Sequence, residues 1–299
     1  MDQLITPSGH LNRSPRGKRL SSTSPDRHAE TIVFDNRHQV ARAVRDLLDG
    51  LRCWPLWASL GWQDIRERYT RSLIGPFWLT LSMGILVVGL GFVYGKLFTT
   101  PLNEYLPYLA AGFVVWSFIS TCVTDGCCTF FVSAAAIKQL AAPLSIYAYR
   151  VVWRNLIIFI HNAVIYVIVA GIFGIWPGWT NLLLVFIALS ILCVNALWAT
   201  LLLGLFSARF RDIPSIASSV IQVAFFMTPI FWHTDQLPGG SAIVQYNPFV
   251  YYLDIIRQPL LGQGPASNSW GVVLCLTVAG LVISFTFFAR YRARLSYWV

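Results

Sequence analysis

Apolar positions in this chain gather into long unbroken runs, not into short alternating stretches. Between Arg154 and Arg209 no acidic or basic side chain occurs except His161, and the run turns once, at Trp176-Pro177-Gly178-Trp179. A helix needs roughly 20 apolar residues to cross a bilayer, because hydrocarbon offers the backbone no partners and charge at mid-membrane is expensive. Residues 155–208 therefore read as two crossings. Further charge-free runs cover 72–95, 105–124, 213–234 and 271–289. The pattern predicts an all-α integral membrane protein with six transmembrane helices per protomer.

Two segments ahead of the first span have helical rather than continuous spacing of apolar residues. Val40, Val44, Leu47, Leu48 and Leu51 form one face, with Arg42, Arg45 and Asp46 opposite, which predicts an amphipathic helix. In the next segment Leu56, Trp57, Leu60, Ile65 and Tyr69 suit the headgroup boundary, while Asp64, Arg66, Glu67, Arg68 and Arg71 are expected to face water. Gly75-Pro76 marks the junction with the first span, since proline is tolerated in a first helical turn. Residues 1–30 are rich in Ser, Pro and Arg with little to bury, so disorder is expected there. That tail has no apolar stretch of signal-peptide type, and Asp2, Asp26 and Glu30 argue against a transit peptide. The predicted organisation is a disordered tail over 1–35, interface helices over 36–72 and a six-helix membrane domain over 73–299.

Composition agrees, with 56% hydrophobic and 12% charged residues. The formal charge of +9 is distributed by side. With six spans, Arg66, Arg68, Arg71, Lys138, Arg150, Arg154, Arg209, Arg211, Arg290, Arg292 and Arg294 collect on one face, against only Lys96 and Arg257 on the other. The positive-inside rule makes the first face cytoplasmic and puts both termini there. Juxtamembrane arginine accounts for the basic charge through orientation and anionic lipids, so no nucleic-acid partner is expected.

Candidate chemistry is sparse. The six cysteines include no C-x-x-C pair, and Cys127-Cys128 has no histidine cluster beside it, so they read as small apolar packers. The nearest approach to a phosphate loop, Gly91 to Leu97, lacks the upstream glycine, where Leu90 stands, and the hydroxyl after Gly95-Lys96. The chain is therefore expected to bind no ATP and no other cofactor and to be no enzyme. His161 and His233 have no partner at metal spacing, so no metal site is expected. Asp125 and Glu104, the carboxylates available to a membrane transferase, read as isolated. An ion-coupled carrier would need repeats and titratable groups near the midplane, and neither is found.

One polar, helix-breaking segment stands out, from Asn247-Pro248 to Gly264-Pro265. Asn247 is a good N-cap, Pro248 suits the first helical position and Pro259 breaks the helix about three turns later. A short amphipathic helix, or a broken pair, is expected at the outer leaflet, re-entrant between spans 5 and 6. Asp254 and Arg257, at i and i+3, are placed to pair.

The order of these segments resembles the membrane (permease) subunit of type-2 ABC exporters that move polysaccharides such as O-antigen, capsule, teichoic acid and galactan. The resemblance rests on Gln63-Asp64-Ile65-Arg66-Glu67-Arg68-Tyr69, on Arg71-Ser72-Leu73-Ile74-Gly75-Pro76-Phe77-Trp78, on Ala208-Arg209-Phe210-Arg211-Asp212-Ile213, on Asn247-Pro248 and on the terminal Tyr291-Arg292-Ala293-Arg294-Leu295-Ser296-Tyr297-Trp298-Val299. It implies a homodimer in the bacterial inner membrane joined to two copies of a cytoplasmic ABC ATPase, which would bind the ATP and magnesium. It implies an ATPase-coupling surface comprising Gln63, Asp64, Arg66, Arg68, Arg71, Arg209 and Arg211, with a coupling helix near 133–145 that presents Ile137, Lys138, Gln139 and Leu140. Ala142-Pro143 departs from the Phe-Pro and following charges common in relatives. The resemblance further implies an external gate at Asn247, Pro248, Tyr251, Tyr252, Asp254 and Arg257. A sugar chain, lipid-linked or free, would slide past uncharged aromatic faces, and Phe77, Trp78, Phe113 and Trp116 are the candidates. A lipid or drug exporter of the same type is the nearer alternative, and an ion-coupled transporter the more distant one.

Overall fold

Each apolar run becomes a helix because backbone groups removed from water must bond within their own segment. The computed structural model describes residues 36–70, 75, 77–98, 100–140, 142–234, 241–264 and 267–299. The tail expected over 1–35 and Arg71 lie outside them. The described residues form α1 (Asn36–Arg52), α2 (Trp54–Tyr69), α3 (Phe77–Leu97), α4 (Leu102–Val132), α5 (Ala134–Gln139), α6 (Ser145–Ile172), α7 (Trp179–Arg209), α8 (Ile213–Met227), α9 (Ser241–Tyr246), α10 (Pro248–Leu260) and α11 (Ser267–Trp298).

Five of these helices, α3, α4, α6, α7 and α11, are long and apolar enough to cross a membrane. The predicted crossing over 213–234 is helical only to Met227. Its 15 residues rise about 22 Å, short of a hydrocarbon core of roughly 30 Å. The chain then runs without helix through Thr228-Pro229 to His233.

α4 is the central element: 78% of its apolar stretch is buried, against 17% for α3. Small residues let α7 approach α4 closely. A side chain on Gly126 would meet the Thr200 backbone at 3.1 Å, and one on Gly204 would meet the Gly126 carbonyl at 3.2 Å. The turn from α6 to α7 passes through Gly178 at φ 79, a conformation that favours glycine.

Both interface helices form. Val40, Val44, Leu48 and Leu51 of α1 are each 41–53% exposed, while Asp46, on the polar side with Arg42 and Arg45 by its spacing, is buried against the bundle. The inward position of Asp46 follows from hydrogen bonds described below. On α2, Ile65 is buried and Trp57 packs on Tyr149 and Trp153 at 5.9 Å each, so this part of the apolar face is taken by α6, while Leu56 stays exposed.

Contacts sort the helix ends into two groups. α1, α2, α5, the start of α6, the ends of α7 and α11 and the start of α8 share one end, through pairs such as Asp46–Arg292, Asp64–Arg150 and Arg211 over Phe131. The end of α8, the start of α4 and the segment through α10 share the other, through Tyr108 and Arg257 at Pro229.

Candidate functional site: the two ends of the helix bundle

At the first end, a five-residue polar cluster joins three helices. Arg150 grips Asp64 with two nitrogens, its Nε donating at 2.9 Å, and Arg154 donates to the same carboxylate at 3.1 Å. Arg154 also donates to Asp125 at 2.7 Å, and Asn155 reaches that carboxylate at 3.2 Å. α2 is thereby locked to α6 and α4 by paired charges, which lowers the penalty of holding them out of bulk water. Asp64 therefore does not face water, and Asp125 is not isolated, as the sequence suggested. Charge pairing across the fold decided both.

A second cluster holds α1. The Asp46 carboxylate accepts from the backbone nitrogens of Leu144 and Ser145 at 3.2 and 3.0 Å, where the positive end of α6 favours an anion. Arg292 donates to it at 2.5 Å from the last turns of α11. Ser145 returns its hydroxyl to the Asp46 carbonyl at 2.7 Å.

Around these clusters lie the residues expected at a coupling surface. Gln63, Arg66 and Arg68 are exposed on α2. α5 occupies the position expected for a coupling helix, with Lys138, Gln139 and Leu140 exposed and Ile137 packed against a core of Ala43, Phe130 and Leu295. Arg209 and Arg211 are exposed too, with Arg209 over Trp298 and Arg211 over Phe131.

At the opposite end, Asn247 caps α10 as its sequence predicts: its side-chain oxygen accepts from the Phe249 nitrogen at 3.0 Å, with Pro248 next in line. Its amide also donates to Thr228 at 3.0 Å, tying the cap to the end of α8. The helix runs one residue past Pro259. The expected Asp254–Arg257 pair does not form. Arg257 is buried, donates to the Pro229 carbonyl at 2.6 Å and lies 4.0 Å from the Tyr108 ring, while Asp254 accepts from Ser269 at 2.5 Å. The unwound stretch after α8 exposes carbonyls that would be costly in a low-dielectric setting. Tyr105 donates to the Phe231 carbonyl at 2.5 Å and Tyr108 to Pro229 and Trp232 at 2.9 and 3.1 Å. These tyrosines, which the sequence reading missed, do with Arg257 what a continued helix would have done.

Of the other gate candidates, Tyr251 is half-buried and donates to the Gln245 carbonyl at 2.7 Å. Tyr252 is buried and donates to Asn195 of α7 at 2.8 Å, and Asn195 donates to Thr277 of α11 at the same distance. This node was also missed, though an asparagine within a charge-free run was its visible signal. The four path aromatics separate. Phe113 and Trp116 are buried against Phe225 and Phe249, with ring centroids 5.5–5.9 Å apart, so they offer no free face to a substrate within the protomer. Phe77 and Trp78 are 72% and 51% exposed.

The geometry is that of a membrane bundle with a charged, well-anchored surface at one end and an unwound, hydrogen-bonded segment at the other. Residues 55–261 match the family described as ABC-2 type transporter. The chain is 25% identical over 202 residues to the O-antigen export system permease protein RfbA of Myxococcus xanthus, covering 65% of this chain and 76% of that protein. It is 25% identical over 231 residues to a Klebsiella pneumoniae protein of the same name, covering 74% and 87%. A second Klebsiella pneumoniae protein of that name is 21% identical over 226 residues.

Proposed function

This chain belongs to the ABC-2 type transporter family, and from that premise we propose that it is the permease subunit of an ATP-driven exporter that moves a polysaccharide out of the cytoplasm. Similarity to three O-antigen export permeases, covering most of their lengths in each case, is the observation that carries this reading. The substrate is a glycan of the O-antigen or galactan kind, lipid-linked during passage. The chain works as a homodimer in the bacterial inner membrane, with two copies of a cytoplasmic ABC ATPase supplying the nucleotide chemistry.

In this reading the end that carries α5 is cytoplasmic, and six crossings place both termini there. α8 and the unwound stretch after it together make the fifth crossing, because Tyr105, Tyr108 and Arg257 satisfy the carbonyls that the short helix leaves open. The ATPase docks on exposed Lys138, Gln139 and Leu140 and on the cations Arg66, Arg68, Arg209 and Arg211, and Gln63 lies at its edge. Asp64 transmits the stroke from inside the fold, through Arg150 and Arg154 to α6 and α4. The exposed apolar stripe of α1 lies in the headgroup layer. α10 is the external gate, a re-entrant element held by Asn247 and by the Tyr252–Asn195 bond.

Purification of the chain from its native membrane tests the division of labour. A Walker-type ATPase is expected to come down in equal amount, and the chain stripped of it is expected to hydrolyse no ATP. Robust hydrolysis by the stripped chain would overturn the proposal.

A further inference from the structure

A cavity of about 1110 Å³ opens at the end that carries α10 and is walled by α4, α10, the turn after α6 and the start of α11. Ligand pockets span roughly 300–1,000 Å³, so it has room for more than a single small group. Its wall is unusual for so apolar a chain. Asn103, Glu104, Gln258 and Gln263 line it, and none of their side chains makes a hydrogen bond among the described residues. Tyr251, Asp254 and Gln258 face it from one side of α10, at spacings of three and four residues. The Tyr251 ring is held in place by its hydroxyl on the Gln245 carbonyl.

The chemistry of this wall selects its occupant. Carboxamides donate and accept at once, a carboxylate accepts from hydroxyls, and an aromatic face takes C–H groups. A sugar ring presents all three counterparts. An anionic ligand is disfavoured because Glu104 and Asp254 are both carboxylates, while Arg257, the one Lys or Arg among the described lining residues, already donates to Pro229 and covers Tyr108. A metal ion is disfavoured because no cluster of three His, Cys, Asp or Glu occurs among the described residues. An acyl chain would strand the amides without partners. We propose that this cavity is a saccharide-binding site for uncharged sugar units, which holds the emerging end of the glycan between transport strokes. This rests on the export reading above.

The full chain with its ATPase, in lipid nanodiscs, should bind a neutral trisaccharide of glucose, galactose or mannose, read by saturation-transfer NMR, and should bind a sialylated trisaccharide more weakly. Gln258→Ala and Gln263→Ala should each weaken binding at least fivefold, while Thr286→Ala, exposed on α11 and outside this wall, changes nothing. Gln263 is exposed beyond α10, so its substitution leaves the fold intact. No binding by any neutral trisaccharide, or binding that survives both substitutions, overturns the site. Surface glycan in a strain lacking this chain tests the export reading separately. If that glycan persists while the trisaccharide still binds, export fails and the saccharide site stands.

Discussion

Asp64 shows what a single side chain does in this fold. It sits on a helix whose other charges point outward, yet its carboxylate is only 12% exposed and is shared by Arg150 and Arg154. Removing it leaves two guanidinium groups with reduced compensation. Asp64→Ala is expected to lower stability by about 1.5–3 kcal/mol, as for hydrogen bonds to charged groups, with partial exposure of the arginines keeping the effect below that of a fully buried pair. Arg66→Ala, on the exposed face, should stay within about 0.5 kcal/mol. Thermal unfolding of the purified chain in detergent checks both, and equal losses would show that the cluster carries no special weight. Sequence alone sets apart neither residue, because the partner of Asp64 on α6 lies 86 positions away. Asn247 was legible for the opposite reason, since its acceptor role reaches only two residues ahead.

Among elements, α1 is the one whose orientation the spacing pattern left open. An amphipathic helix on a membrane protein has two apolar phases to choose between, the bundle and the lipid, and hydropathy does not distinguish them. Here the choice was made by Asp46 at the start of α6 and by Arg292. A capping carboxylate is worth about 1 kcal/mol or somewhat more. Asp46→Ala should therefore loosen α1 while the spans remain, raising the rate of tryptic cleavage at Arg42 and Arg45 by roughly tenfold, the factor that corresponds to about 1.4 kcal/mol. Limited proteolysis of membrane vesicles measures it, and unchanged cleavage would mean that α1 is held by packing alone. α10, by contrast, lies where the sequence located it, because Asn247-Pro248 and Gly262 delimit it.

For the whole molecule the decisive element is α8, 15 residues long in a place where a full crossing was expected. Six crossings put the two ends of the chain on one side and the residues around Gly264 on the other. A tag inserted after Gly264 should be reached by an impermeant reagent from outside the cell, and a tag after Val299 should be shielded. A shielded Gly264 tag together with an accessible Val299 tag would remove the fifth crossing and, with it, the assignment of α10 as an external gate. The same result would move the amide-lined cavity to the cytoplasmic face.

The sequence by itself determined the all-helical membrane class, the apolar cores of the five long spans and the cap of α10. Each of these follows from hydropathy or from contacts a few residues apart. Tertiary structure decided which charges are anchors and which are surface, turned Asp46 and Asp64 inward, separated Asp254 from Arg257 and buried Phe113 and Trp116. Charged and aromatic side chains are long, and in a low-dielectric bundle each is driven to whatever partner the fold brings within about 3 Å. Those partners lie on other helices, so no local pattern encodes them.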